Sequence, residues 1–310
     1  MITIEAKNLT KKFGEFVAVE NIELQVSEGE IFGFLGANVA GKTTTIKMLI
    51  GLLKPTSGYV FVSGIDVIKY PEKVKQNIGY MSQKFSLYGD LTVEENISFY
   101  GGIYGTSFRK LSAIREELIE KYNLYEVRKV LTKELPLGMK QRLALGIALM
   151  HKPKIVFLDE PTSGADPVSR RNFWRIIQDL GKEGVSVFVT THYLEEAEYC
   201  SRISMIDEGK IIITGTPMEL KKKVFKYPLY EIDFGSLEKN LFALNKGCNF
   251  GELVLFGSKL HLVVDKEGVT RDVIIRYFDN SLGFPPVSIR EIVPTLEDVF
   301  VKIVNKKEYA

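Results

Sequence analysis

Nine consecutive residues, Gly36, Ala37, Asn38, Val39, Ala40, Gly41, Lys42, Thr43 and Thr44, have the types and spacing to hold phosphate. Backbone N–H groups of such a loop surround the phosphate oxygens. Lys42 neutralises their outer charge, and the Thr43 hydroxyl is placed to ligate Mg²⁺. Two carboxylates, Asp159 and Glu160, follow a fully apolar run, Ile155 to Leu158. One acid of such a pair can hold Mg²⁺ through water, and its neighbour can polarise an attacking water. His192 ends a second apolar run that starts at Val187, where an imidazole can hydrogen-bond a terminal phosphate oxygen.

These groups lie far apart in the chain, so only a fold can bring them together. Ile31 to Leu35 reads as a strand, the glycine loop follows, and Ile46, Met48, Leu49 and Leu52 continue as a helix. The runs 155–158 and 185–189 are short and rich in β-branched residues, with a helical segment at about 167–181 between them. That is the rhythm of a parallel sheet with crossover helices, whose ligands sit at the carboxyl ends of the strands. Residues 1–30 and 58–64 alternate apolar and polar and are broken by glycines, as antiparallel strands are. From residue 92 the pattern lengthens into helices over 92–104 and 108–124, the first opened by Thr92 with Glu95 three residues on, a capping-box spacing. Near Lys221 to Lys223 and Pro228 the character changes again. Strands are predicted at 229–234, 252–256, 260–264 and 287–292, and helices at about 236–244 and 269–278.

Bulk properties bound the function. With 310 residues, 45% of them apolar, the chain can build one large domain or two unequal ones. A formal charge of +2 gives no broad basic face, so nucleic acid is not an expected partner. Cys200 and Cys248 form neither a disulfide framework nor a metal-ligand pattern, which fits a reducing compartment. The first residues lack the regions of a signal peptide, and no stretch approaches the roughly 18–20 apolar residues needed to span a bilayer. Any pore must lie in another chain.

Over about residues 2–220 these parts resemble the nucleotide-binding domain of ABC (ATP-binding cassette) transporters. In order they are Phe13 in KKFG, GANVAGKTT, Gln83 after the strand 78–82, LPLGMKQR from Leu135, IVFLDEP from Ile155, SGAD from Ser163, and His192. The resemblance implies an α/β fold of the P-loop NTPase, ABC ATPase kind: a mostly parallel core sheet, an antiparallel β-subdomain and a helical insert at about 84–150. With the change of pattern near Lys221, the expected domains are 1–220 and 221–310, the latter read from its own strands and helices as a small α+β domain. The resemblance further implies an ATPase using ATP and Mg²⁺. In that reading Phe13 stacks on adenine, Thr43, Gln83 and Asp159 serve the metal, and Glu160 is the catalytic base beside Lys42 and His192. Leu137, Gly138 and Met139 reach the nucleotide of a second subunit, and Asp166 belongs to a loop that communicates across that dimer. The implied partners are a paralogue or second copy and a separate membrane permease, at the cytoplasmic face of the membrane. PTLEDVF, from Pro294 to Phe300, is similar to the ending of cassette subunits of drug and polysaccharide exporters.

Two positions depart from the family pattern. Val39 stands where glycine is usual; at positive φ it costs roughly 1–3 kcal/mol and its side chain crowds the backbone's approach to phosphate, which predicts nucleotide binding about tenfold to a hundredfold weaker. Pro136 stands where the signature has serine, which removes a hydroxyl and a backbone donor, yet proline suits the start of the helix expected over about 139–150. The same two residues also suit a regulatory subunit that holds ATP with little turnover. A soluble ABC protein acting on ribosomes or DNA is the other alternative, and the single cassette, near-neutral charge and lack of a long coiled coil or basic linker argue against it.

Overall fold

The computed structural model describes residues 1–308. The chain forms two compact units, one spanning Met1–Pro217 and the other running from Met218 onward. In the first unit, β1 (Ile2–Phe13) and β2 (Phe16–Ser27) form a hairpin closed by Gly14, whose φ of 58° only glycine adopts freely. With β4 (Ser57–Val62) and β5 (Ile65–Asp66) they make an antiparallel sheet in the order β2-β1-β4-β5.

The second sheet has six strands in the order β10-β9-β3-β8-β7-β6. These are β3 (Ile31–Leu35), β6 (Ile78–Met81), β7 (Ile155–Asp159), β8 (Ser186–Thr191), β9 (Arg202–Asp207) and β10 (Lys210–Gly215). All its pairs are parallel except β9 with β10. Every residue of β3, β7 and β8 is buried, which explains why they read as unbroken apolar runs instead of alternating ones. Phe32, Phe34 and Phe157 each pack on Phe188 with centroids 5.5–5.6 Å apart. Burial of each such ring contributes about 2–3 kcal/mol.

The crossovers are helical. α1 (Lys42–Leu49) follows the glycine loop, α2 (Pro71–Asn77) precedes β6, and α6 (Pro167–Lys182) joins β7 to β8. Between β6 and β7 lie α3 (Val93–Ile103), α4 (Phe108–Lys121) and α5 (Leu137–Leu149). Thr92 and Glu95 form the expected capping box at α3. The helix predicted at 108–124 stops at Lys121, just before Asn123 turns left-handed at φ 51°. α5 starts two residues before the 139 anticipated, with Pro136 in the cap position.

In the second unit, β11 (Leu229–Asp233), β12 (Gly251–Phe256), β13 (Lys259–Val264) and β14 (Ser288–Ile292) form an antiparallel sheet in the order β12-β13-β11-β14. α7 (Pro217–Val224) begins at the junction, followed by α8 (Leu237–Lys246), α9 (Arg271–Leu282) and α10 (Leu296–Glu308). Phe234, Phe250, Phe278 and the β13 leucines fill its separate core. The PTLEDVF segment has a structural task here. Asp298 accepts from the Thr295 backbone N–H at 2.8 Å, which caps α10, and from His261 Nδ1 at 2.6 Å in a buried pair. Burial raises the Asp298 carboxyl, but the bonds from His261 and Thr295 outweigh it and hold it below its ordinary value. Among the described residues no helix is long and apolar enough to cross a membrane.

Candidate functional site

Parallel register places the chemistry. Leu35 pairs with Thr191, Asp159 with Thr190 and Met81 with Leu158, so β3, β6, β7 and β8 end side by side at one sheet edge. Each strand hands its next residues to that edge: the glycine loop from β3, Gln83 from β6, Glu160 from β7 and His192 from β8. A cleft of about 340 Å³ is lined by Phe13, Phe16, Ala18, Asn38, Val39, Gly41, Lys42, Thr43, Thr44, Gln83 and Glu160. A smaller hollow of about 250 Å³ between α4, α5 and α6 contains none of the predicted groups.

At the centre Lys42 Nζ donates to the carbonyls of Gly36 at 2.8 Å and Ala37 at 2.9 Å, and lies 3.1 Å from Glu160 Oε1. The ammonium is therefore held by its own loop on one side and a carboxylate on the other. Glu160 Oε2 accepts from Gln83 Nε2 at 3.2 Å and from His192 Nδ1 at 3.1 Å. An accepting carboxylate assigns the proton to Nδ1 of the imidazole. Glu160 has a φ of 47°, a left-handed turn that costs a side-chain-bearing residue energy and directs its carboxylate back over the loop.

Asp159 faces the other way, accepting from Thr190 Oγ1 at 2.7 Å and Thr43 Oγ1 at 3.2 Å. Burial pushes its carboxyl above its ordinary value despite the two hydroxyls. A buried carboxylate that two neutral donors do not fully compensate is one a cation would relieve. No cluster of three or more His, Cys, Asp or Glu gathers among the described residues. The oxygens present, from Thr43, Asp159 and Gln83, suit an ion that shares its shell with phosphate and water, as Mg²⁺ does. For phosphate, the loop has the needed tightness at two glycines. A Cβ on Gly36 would sit 2.3 Å from the Ile206 carbonyl and one on Gly41 2.7 Å from the Ala18 carbonyl. The donor set and the loop thus fit a Mg²⁺-bound triphosphate.

Val39 is the third residue of a turn closed by the Ala40 N–H on the Ala37 carbonyl, and its φ is 71°. The side chain is 91% exposed, so it stands clear of the loop's own packing. This relocates the expected penalty: the strain exists in the folded chain before any ligand arrives, and weighs on folding more than on binding. Relief of about 2 kcal/mol, less about 0.7 kcal/mol that glycine loses in backbone entropy, leaves about 1.3 kcal/mol and predicts that Val39→Gly melts roughly 3–5 °C higher. Calorimetry beside an ATP titration checks this; an unchanged melting point with tenfold tighter binding would restore the crowding account.

Gly36, Ala37, Ala40, Asp159 and His192 adjoin the cleft without lining it, whereas Leu137, Gly138, Met139 and Asp166 belong to two helix starts. Leu137, Gly138 and Met139 form the first turn of α5, and Asp166 caps α6 by accepting from the Val168 and Ser169 N–H groups. These two helix starts are neighbours, since a Cβ on Gly138 would lie 2.6 Å from Ser169 Oγ. The sequence reading passed over two contributors. Phe16 faces Phe13 across the hairpin and shares the cleft wall. Thr190 bonds Asp159 and also accepts from the Glu160 N–H at 3.0 Å. The signal for Phe16 was the hairpin spacing about Gly14; that for Thr190 was its place two residues before His192.

A family model described as ABC transporter matches residues 19–163. The probable multidrug ABC transporter ATP-binding protein YbhF of Escherichia coli (strain K12) is 53% identical over 218 residues, covering 70% of this chain but 38% of that protein. The chain therefore spans well under half the length of that relative. The linearmycin resistance ATP-binding protein LnrL of Bacillus subtilis (strain 168) is 32% identical over 308 residues, 98% of each chain. Among solved structures, the dimeric ATP-binding cassette MJ0796 in a post-hydrolysis state, bound to ADP and Pi, shares 26% identity with a TM-score of 0.63, covering 69% of this chain and 98% of that one.

Proposed function

Since this chain belongs to the ABC transporter family of ATP-binding proteins, we propose that it is an ATP-hydrolysing subunit that closes with a second copy or a paralogue on two ATP molecules and drives a separate membrane permease, in the direction of export. What carries the reading is the meeting of Lys42, Glu160, Gln83 and His192 within hydrogen-bond reach, delivered by four different strand ends.

Lys42 exchanges its Glu160 partner for phosphate oxygens when ATP enters, which frees the carboxylate. Glu160 then accepts the proton of a water aligned with the terminal phosphorus, as a general base must lie within hydrogen-bond reach of the proton it takes. His192, which already donates to Glu160, turns its ring to the terminal phosphate. Thr43, Asp159 and Gln83 would hold Mg²⁺, which supplies charge neutralisation across the phosphates. Phe13 and Phe16 offer an aromatic wall for the adenine. The start of α5 brings free backbone N–H groups to the partner's ATP, because Pro136 carries no capping side chain and the positive end of the helix stays open. The position is peripheral, at the cytoplasmic face of the membrane.

Glu160→Gln blocks the turnover that reopens the pair. With saturating ATP and Mg²⁺ that variant is expected to elute from gel filtration at twice the mass of the nucleotide-free chain. An unchanged mass would sink the nucleotide sandwich, and co-purification of the chain with a permease tests the coupling.

A further inference from the structure

Resting on the ATPase reading above, we propose that Glu196 is a positioning residue for the reaction: its buried carboxylate fastens the loop that carries His192 to the loop that carries Glu160 and to the first turn of α6. Glu196 is fully buried and lies in the short turn Glu196–Tyr199, outside the nucleotide cleft. A carboxylate is costly to bury unless its oxygens are paired. Here each oxygen has its own partner from a different segment. Thr162 Oγ1 donates to Oε1 at 2.5 Å and Thr191 Oγ1 donates to Oε2 at 2.7 Å. Arg170 Nε stands 3.4 Å from Oε1, at ion-pair range without an aligned hydrogen bond.

The partners matter more than their number. Thr191 immediately precedes His192, Thr162 is two residues beyond Glu160, and Arg170 sits in the first turn of the helix that Asp166 caps. Thr191 Oγ1 also accepts from the Tyr193 N–H at 3.0 Å. The Tyr193 ring has the Arg170 guanidinium 4.1 Å from its centroid and the His192 ring 4.1 Å away. One carboxylate thereby sets the lateral position of His192, whose Nδ1 reaches Glu160 across the site. Each hydroxyl must donate to an acceptor, a requirement a carboxylate meets on both sides at once. A glutamine keeps one acceptor and turns its amide toward a hydroxyl that can accept instead. An alanine strands all three donors.

Displacement of a reacting group by an ångström can cost up to a hundredfold in rate. Glu196→Ala is therefore expected to lower kcat for ATP at least about tenfold with KM within about threefold, and Glu196→Gln to recover most of the loss. A second readout does not need turnover. The chain has three histidines, so ring-labelled NMR resolves His192 from His151 and His261 once each is substituted. In Glu196→Ala the His192 signal should shift while the other two stay, and glutamine should bring it back. Wild-type kcat with an unmoved His192 signal overturns the proposal. So does a joint loss of kcat, ATP binding and melting temperature that glutamine fails to rescue, which marks a merely structural residue. A wild-type chain without Lys42-dependent ATPase would instead sink the ATPase reading, and the NMR arm would still decide the positioning. If the alanine variant does not fold, Thr162→Val removes one hydroxyl and must show the same His192 shift.

Discussion

Glu160→Gln lowers ATP turnover by about two to three orders of magnitude while the chain still binds Mg²⁺-ATP. The magnitude is that of general-base catalysis, about 10²–10⁴, because an amide of nearly the same shape can orient water but cannot take its proton. The geometry makes the effect specific. Glu160 is 8% exposed, and the side chains of Lys42, Gln83 and His192 converge on its carboxylate. Binding is retained for a further reason: in the nucleotide-free chain the carboxylate occupies one side of the Lys42 ammonium, 3.1 Å away, where phosphate must go. Removing its charge removes that competition, so ATP affinity should hold or improve. Phosphate release in single-turnover and steady-state assays, beside titration with a fluorescent ATP analogue, reads both quantities. A variant that keeps more than about a tenth of wild-type turnover would take the base role away from Glu160.

Lys42→Ala is the complementary experiment, with loss expected in binding and in stability together. Hydrogen bonds to charged groups contribute about 1.5–3 kcal/mol, which corresponds to ATP binding about 10–150-fold weaker. The free protein also suffers. Lys42 is 4% exposed and closes the loop through the Gly36 and Ala37 carbonyls, so its removal leaves two carbonyls and a buried carboxylate without their cation. Breaking a buried pair from one side costs about 3–5 kcal/mol; the donors that Glu160 keeps from His192 and Gln83 place the cost near 3 kcal/mol. The double variant Lys42→Ala, Glu160→Ala should be less destabilised than the sum of the singles, because the orphaned carboxylate is gone. Urea unfolding of all four proteins measures this coupling. ATPase that persists in Lys42→Ala would point to a contaminating enzyme, and would favour a chain that holds ATP without turning it over.

Much of the site was legible in the residues because its parts are local. The glycine loop, the acid pair and the histidine each follow a short apolar run, and a buried strand announces itself by composition over five residues. Chain order and spacing were enough to identify the loop between β3 and α1 and the capping box of α3. The helix ends were less legible: α4 stops where Asn123 takes a positive φ, a choice made by packing that no periodicity reveals. Pro136 fits a helix start in sequence, but whether it is the cap or the first turn depends on φ and ψ.

What the sequence by itself determined is which chemical groups this protein owns and on which kind of element each one rides, since hydrophobic period and loop composition act over a few residues. Only the tertiary structure decided which groups meet. The register of parallel strands pairs Asp159 with Thr190 and sets Glu160 between Lys42 and His192. It likewise delivers Thr162, Thr191 and Arg170 to Glu196, a residue that in the chain is one of several glutamates after a histidine. Apart from Thr191, which lies five residues from Glu196, such contacts join residues far apart in the chain, as Lys42 and Glu160 are, and the free energy that closes them comes from burying a shared core, whose pattern does not name the polar partners at its edge.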